Sequence, residues 1–294
     1  MSFDVIKAFR AFCENLTMSR SELESISNRY HNITKIINKC YWNSLSEVAH
    51  SLYVGSYGRG TKINNSDIDL LVVLPSSVYH KYNNYIWNKQ SSFLQDVKCS
   101  IKRTYSSTDI RADGQVISVN FYDNTHIEVL PVFENSDGNS FIYADTNNGG
   151  CWRVCDPRAE IQATSDLNKA TKGNLKNLCK MARAWREEQN VNISGILIDI
   201  LACRFLKNWK YKDSSFIYYD WMSRDFFEYL ASVPEQSKFQ AMGSGRYVAS
   251  DYHFQYKAKL AYKKALSAIE NQDIHPETAN EYWRDIYGYR FPRL

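Results

Sequence analysis

Val5, Ile6, Phe9, Phe12, Cys13 and Leu16 recur at the three- and four-residue spacing of an amphipathic helix. A second helix is predicted behind a Ser21-to-Glu24 capping box, with Ile26, Tyr30, Ile33, Ile37 and Tyr41 as its apolar stripe. Residues 48–54 read as a short apolar strand and residues 68–74, IDLLVVL, as another. After Pro75 one long helix is expected to carry Ile86, Phe93, Leu94, Val97 and Ile101. Residues 116–122 and 126–133 alternate with period two around Asp123-Asn124, the pattern of a hairpin. Beyond Asn147-Asn148-Gly149-Gly150 the period becomes helical, over 167–188, 196–209, 221–232, 251–269 and 276–287, with Gly243-Ser244-Gly245 as a loop between helices. The change of period predicts two lobes, residues 1–150 with the strands and residues 151–294 with the helices.

Composition narrows the class. At 294 residues the chain can bury a large core, and its net charge of +4 is spread along it instead of massed in a basic arm. Seven widely spaced cysteines and an opening Met1-Ser2-Phe3-Asp4 with no secretory pattern imply reduced thiols and a cytoplasmic protein. Cys151 and Cys155 form the one close pair and lack a second Cys/His pair at zinc spacing. No apolar run reaches membrane-spanning length, so no membrane partner is expected.

The candidate chemistry lies around the second strand. Asp67 and Asp69 alternate with Ile68 and Leu70, so a two-residue repeat sets both carboxylates on one face. The run at 70–74 demands burial on both faces, which leaves the two acids at the strand's exposed start. Ahead of them, Gly55-Ser56-Tyr57-Gly58-Arg59-Gly60-Thr61 offers close backbone approach, two hydroxyls and a guanidinium. It reads either as a phosphate cradle or as an ordinary glycine turn; it lacks the Gly-Lys-Ser/Thr ending of a P-loop. Glu128 supplies a third carboxylate on a neighbouring strand. Nucleotidyl transfer needs such a trio, because one divalent ion must lower the pKa of the attacking hydroxyl while another steadies the departing pyrophosphate.

The pattern G-S-x(10)-D-x-D followed by a third acid on a later strand resembles the DNA polymerase β-type nucleotidyltransferases. Trp152, Asp156-Pro157-Arg158, the run from Leu175 to Trp185, Ile193-Ser194-Gly195 and the closing YWRDIYG with Phe291-Pro292 are similar to the bacterial cGAS/DncV-like nucleotidyltransferases. The resemblance implies an α+β fold, a mixed sheet with flanking helices, joined to a C-terminal helical lobe across a central cleft. It implies a synthase that joins ATP, GTP or other nucleoside triphosphates into a cyclic di- or trinucleotide, with cyclic GMP-AMP or a related purine product preferred. That product would act as a second messenger on a downstream effector in anti-phage defence. By the same resemblance Asp67, Asp69 and Glu128 are metal ligands for two Mg²⁺ ions, with Mn²⁺ able to substitute. Gly55, Ser56 and Thr61 would touch the donor triphosphate, and Lys180 and Ser194 would hold its phosphates from the helical lobe. A lysine is a compact charge for phosphate and a helix start exposes N–H groups, so both roles are physically reasonable. Lys176 and Arg183 stand on neighbouring turns and compete with Lys180 for its role. Asp113-Gly114-Gln115 resembles the clade called G, and no basic surface or zinc insertion for a nucleic-acid activator is visible. The alternative keeps the chemistry and changes the acceptor: a toxin-type adenylyltransferase, an antibiotic modifier or a tRNA-end polymerase. The modest charge disfavours tRNA.

Overall fold

The computed structural model describes residues 3–64, 67–250 and 253–293. The chain opens with α1 (Val5–Asn15) and α2 (Arg20–Tyr41). The capping box of α2 is Ser19 with Glu22, not Ser21 with Glu24: Ser19 Oγ accepts from the Glu22 N–H and the Glu22 carboxylate accepts from the Ser19 N–H. Strand β1 (Ser51–Tyr53) is shorter than its apolar run and leads into the short helix α3 (Gly55–Arg59) and then β2 (Ile68–Val73). The expected long helix is two, α4 (Ser76–Asn83) and α5 (Lys89–Lys102), parted by a loop in which Asn88 takes φ 54° and Ile86 is 83% exposed. Then come β3 (Asp109–Asp113), β4 (Val116–Asn120), β5 (His126–Glu134), β6 (Phe141–Asp145) and β7 (Cys151–Cys155). The expected hairpin is β4–β5.

Seven strands form one mixed sheet in the order β1-β2-β5-β4-β3, with β6 and β7 continuing from β5. β2 and β5 run parallel, Ile68 opposite Ile127 through Val73 opposite Val132. β5 pairs with β4 over its first half and with β6 over its last residues, and Pro131, which has no N–H to offer, falls between the two stretches. Leu70, Leu71 and Val72 are fully buried, as a central strand covered on both faces requires. On one face Leu71, Val73 and Val132 pack with Val54 and Phe141; α2 packs on β2, and α5 on β3, β4 and β6. Cys151 and Cys155 sit at opposite ends of β7, and all seven cysteines are free thiols.

The rest is helical: α6 (Pro157–Ala170), α7 (Asn174–Glu188), α8 (Gly195–Asn208), α9 (Tyr219–Ser232), α10 (Gln255–Asn271) and α11 (Pro276–Tyr287). Between α9 and α10, β8 (Lys238–Gln240) and β9 (Tyr247–Ala249) make a small hairpin, so the Gly243-Ser244-Gly245 segment turns a hairpin instead of linking helices. No described helix is long and apolar enough to cross a membrane.

Two compact units result, and they do not follow a single cut after residue 150. The α/β unit is Ser19–Gly58 with Asn65–Ile161; the helical unit takes α1, Arg59–Asn64 and the chain from Gln162 on. The physical reason for α1's place is aromatic. Phe9 sets its ring 5.1 Å from Trp283 and 5.2 Å from Phe291, and Phe12 lies 4.6 Å from Tyr287, all in the helical core.

That core also holds an unusual acid. Asp220, 2% exposed in the first turn of α9, accepts the Trp221 N–H at 2.8 Å. Burial pushes its carboxyl up to about 6, with Arg224 pulling it down and Asp225 pushing it further up. The folded state therefore holds the proton more tightly than the unfolded one, so stability is full below the ordinary value of 3.8 and declines as pH rises through about 6. The penalty above that pH is on the order of 3 kcal/mol. Asp220→Asn keeps the acceptor for Trp221 and removes the charge. It is expected to raise the Tm by a few degrees at pH 7.5 and by nothing at pH 4, measured by scanning calorimetry.

Candidate active site

The parallel register of β2 and β5 sets Asp69 directly opposite Glu128. Cα partners in a ladder carry their side chains on the same face, and the two-residue repeat adds Asp67 and His126 to that face one step earlier. The same face continues inward as Leu71, Val73 and Val132. The polar end of a buried face thus carries three acidic residues and an imidazole, with the Asp69 carboxylate turned to the glycine loop. Ligand atoms of Asp67, His126 and Glu128 all lie within 4.8 Å of one another; Asp67 is exposed and the other two half-buried. Such a set of oxygen and nitrogen donors at a water-accessible strand end fits a divalent cation.

His126 lies outside the acidic motif. Its signal was parity: it stands two residues before Glu128 on one strand, hence on one face.

Asp69 is held from the side of the glycine loop. The Val54 N–H donates to the Asp69 carbonyl at 2.9 Å, and the chain then turns at Gly55 with φ +58°. A Cβ built on Gly55 would stand 1.7 Å from Asp69 Oδ2, so the carboxylate rests where any side chain would be. Tyr57 packs on Tyr53 at 4.4 Å and Tyr53 stacks on Tyr30 at 4.3 Å, a ladder of rings that backs the loop. Ser56 is half-buried in this turn.

The other end of the loop is engaged elsewhere, which takes Thr61 out of the expected phosphate cradle. Thr61 belongs to the helical unit, has no exposed surface, and donates its hydroxyl to Asp199 Oδ2 at 2.9 Å. A triphosphate has no access to that hydroxyl. Arg59 is also buried and gives Nε–H to the same oxygen at 3.0 Å, while Arg183 donates to both Asp199 oxygens at 2.6 and 3.0 Å. Burial pushes the Asp199 carboxyl up, but the two guanidinium groups outweigh it and hold the group below the usual carboxylate range.

This clamp removes Arg183 from the candidates for phosphate. Lys176 lies with its Nζ over Gly60, and Lys180 is half-buried on α7, its pKa lowered by burial and by Lys176 while Cys13 opposes the shift. Ser194 is the exposed N-cap of α8, its Oγ accepting the Leu197 N–H at 3.3 Å. The adjoining Gly195 leaves room for Arg183, which donates to the Gly195 carbonyl at 3.0 Å. Trp152 is a packing residue, donating Nε1–H to Asn83 at 3.1 Å and lying against Phe93 and Phe133, and Asp156 accepts the Ala159 N–H at the start of α6.

Residues 3–168 match the family described as the Second Messenger Oligonucleotide or Dinucleotide Synthetase domain. The chain is 23% identical over 261 residues to the cyclic AMP-AMP-AMP synthase of an Acinetobacter species, covering 85% of this chain and 75% of that one. Among solved structures it is similar to Escherichia coli MS115-1 CdnC in complex with HORMA-deltaN, with a TM-score of 0.72 at 13% identity over 98% of each chain. Vibrio cholerae DncV with the linear intermediate pppA(3′,5′)pG gives 0.71 at 14% identity, over 100% of this chain and 97% of that one. Bradyrhizobium diazoefficiens CdnG with GTP gives 0.69 at 8% identity, over 97% and 94%. These near-equal scores describe one fold and favour no clade within it. With a family match over more than half its length, and the mixed sheet and helical lobe of these nucleotidyltransferases, the chain belongs to the second messenger oligonucleotide or dinucleotide synthetases, the cGAS/DncV-like cyclic oligonucleotide synthases.

Proposed function

We propose that this protein uses divalent cations to join nucleoside triphosphates into a cyclic di- or trinucleotide, with Asp67, Asp69 and Glu128 as its catalytic carboxylates. The observation that carries the reading is the in-register pairing of Asp69 with Glu128, with the Asp67 and Glu128 oxygens within 4.8 Å at an accessible strand end. Two ions, Mg²⁺ or Mn²⁺, would supply the lowered hydroxyl pKa and the charge to steady pyrophosphate. Asp67 and Asp69 would hold and orient the donor end, and Glu128 would take the proton of the acceptor hydroxyl. The turn at Gly55 and Ser56 receives the triphosphate through backbone N–H groups. On the helical unit, Lys180 and Ser194 contact phosphate, Lys180 as a point charge and Ser194 at a helix start.

ATP is the substrate most strongly supported, because the Acinetobacter relative is a cyclic AMP-AMP-AMP synthase and the DncV structure holds an adenosine-containing intermediate. GTP is the preferred second purine, giving cyclic GMP-AMP or a related product that switches on an effector in anti-phage defence. Purified protein incubated with each labelled triphosphate and Mg²⁺ or Mn²⁺, then with phosphatase, is expected to leave a resistant cyclic product containing adenosine, identified by mass spectrometry. Asp67→Asn with Asp69→Asn serves as the blank. Transfer that proceeds only when tRNA, an aminoglycoside or a protein acceptor is added would overturn the cyclic reading.

A further inference from the structure

Beside the acids of the site, a hydrogen-bonded relay across three strands prepares a nitrogen. β3, β4 and β5 pair so that Asp109 faces Asn120 and Asn120 faces His126. Asn120 Nδ2 donates to Asp109 Oδ2 at 3.0 Å. A carboxylate only accepts from this amide, so the orientation of Asn120 is fixed and its Oδ1 is the atom hydrogen-bonded to His126 Nδ1. An amide oxygen only accepts, which puts the ring proton on Nδ1. In the neutral ring the lone pair is then on Nε2, and Nε2 points toward the carboxylates, 3.7 Å from Glu128 Oε1, longer than a hydrogen bond.

This is the arrangement by which proteins present histidine to a metal: one ring nitrogen donates to an oxygen acceptor that fixes tautomer and orientation, and the other binds. We infer that His126 is a nitrogen ligand to a cation shared with Asp67 and Glu128, and that this position prefers Mn²⁺ to Mg²⁺. The inference rests on the metal-dependent reading above and sharpens it. Mg²⁺ takes oxygen donors and gives up water reluctantly, whereas an imidazole donor favours first-row transition ions, among which Mn²⁺ is the one that also suits carboxylates and water. Asn120 is a positioning residue, oriented by Asp109 and holding the ring directly.

The test uses full-length protein stripped of metal, with sub-stoichiometric Mn²⁺ and inorganic tripolyphosphate, which fills the phosphate site without bringing nitrogen. Pulsed electron paramagnetic resonance is expected to show ¹⁴N modulation from a directly bound imidazole, changing to the ¹⁵N pattern when histidine is ¹⁵N-labelled. His126→Gln should abolish the modulation and weaken Mn²⁺ about ten-fold while leaving Mg²⁺ affinity unchanged, measured by competition. Mn²⁺ that binds, and is lost in Asp67→Asn, but shows no histidine nitrogen in the wild-type spectrum overturns the inference and leaves the carboxylate site standing. So does modulation that persists in His126→Gln. Mn²⁺ affinity that does not fall in Asp67→Asn overturns the metal reading itself.

Discussion

Gly55→Ala is expected to lower product formation about 100-fold or more while the protein stays folded. The added methyl would stand 1.7 Å from Asp69 Oδ2 and 2.4 Å from its Cγ, so the carboxylate must swing away from the face it shares with Glu128. A displacement of about 1 Å at a reacting centre costs roughly two orders of magnitude in rate. Backbone strain contributes separately, since φ +58° is a conformation in which alanine costs about 1 kcal/mol or more. Gly114→Ala separates the two effects. Gly114 has nearly the same φ, +59°, but a Cβ there meets nothing nearer than Asn147 Nδ2 at 3.6 Å. Both variants should lose similar stability in urea, and only Gly55→Ala should lose turnover. Equal activity in the two would mean that Asp69 is free to work from another rotamer and that the glycine is there for the turn alone.

The acids were legible because alternation is a property of the chain itself. Once residues 68–74 are read as a strand buried on both faces, the parity of Asp67 and Asp69 follows, and β5 repeats the argument for Glu128. His126 was available to the same parity argument; what hid it was the Asp109–Asn120 relay, which depends on cross-strand register and so on the position of β3. β3 itself alternates, but with Ile110 and Ala112 as its only apolar residues among three exposed charges it is too short and too polar to stand out as a strand. β7 is similar, an edge strand with two of its three inner residues exposed. Ser19 and Ser21 each precede a glutamate by three residues, so the sequence carries two overlapping capping boxes and only the backbone chooses the earlier. The fate of Thr61 lay further out of reach. A glycine loop followed by a threonine invites a phosphate reading, and nothing local reveals that an aspartate 138 positions away accepts the hydroxyl.

That aspartate is the centre of the second large effect. Asp199→Ala is expected to destabilise the protein by about 3–5 kcal/mol, because it removes an anion shared by two guanidinium groups that are themselves buried, Arg183 above all, which gives it two hydrogen bonds. Arg183 would keep its bonds to the Gly195 and Cys179 carbonyls, which satisfy N–H groups without neutralising the charge. The loss should depend on pH in a defined sense. The folded carboxyl lies below its ordinary value of 3.8, so the clamp's contribution is present above that value and disappears as pH falls through the lower folded one. Wild type and Asp199→Ala should therefore differ most in urea midpoint at pH 7 and converge in strong acid. The matched control is Arg59→Met/Arg183→Met/Asp199→Leu, which removes all three charges while filling their volume. Replacement of a buried ionic triad by apolar groups is often neutral or stabilising, so the triple variant should recover most of the lost midpoint. Its recovery with activity still impaired would assign the clamp to holding the start of α8, where Ser194 caps the helix beside Gly195. Recovery of both would leave it a packing device, and a midpoint for Asp199→Ala within about 1 kcal/mol of wild type would show that solvent reaches the charges.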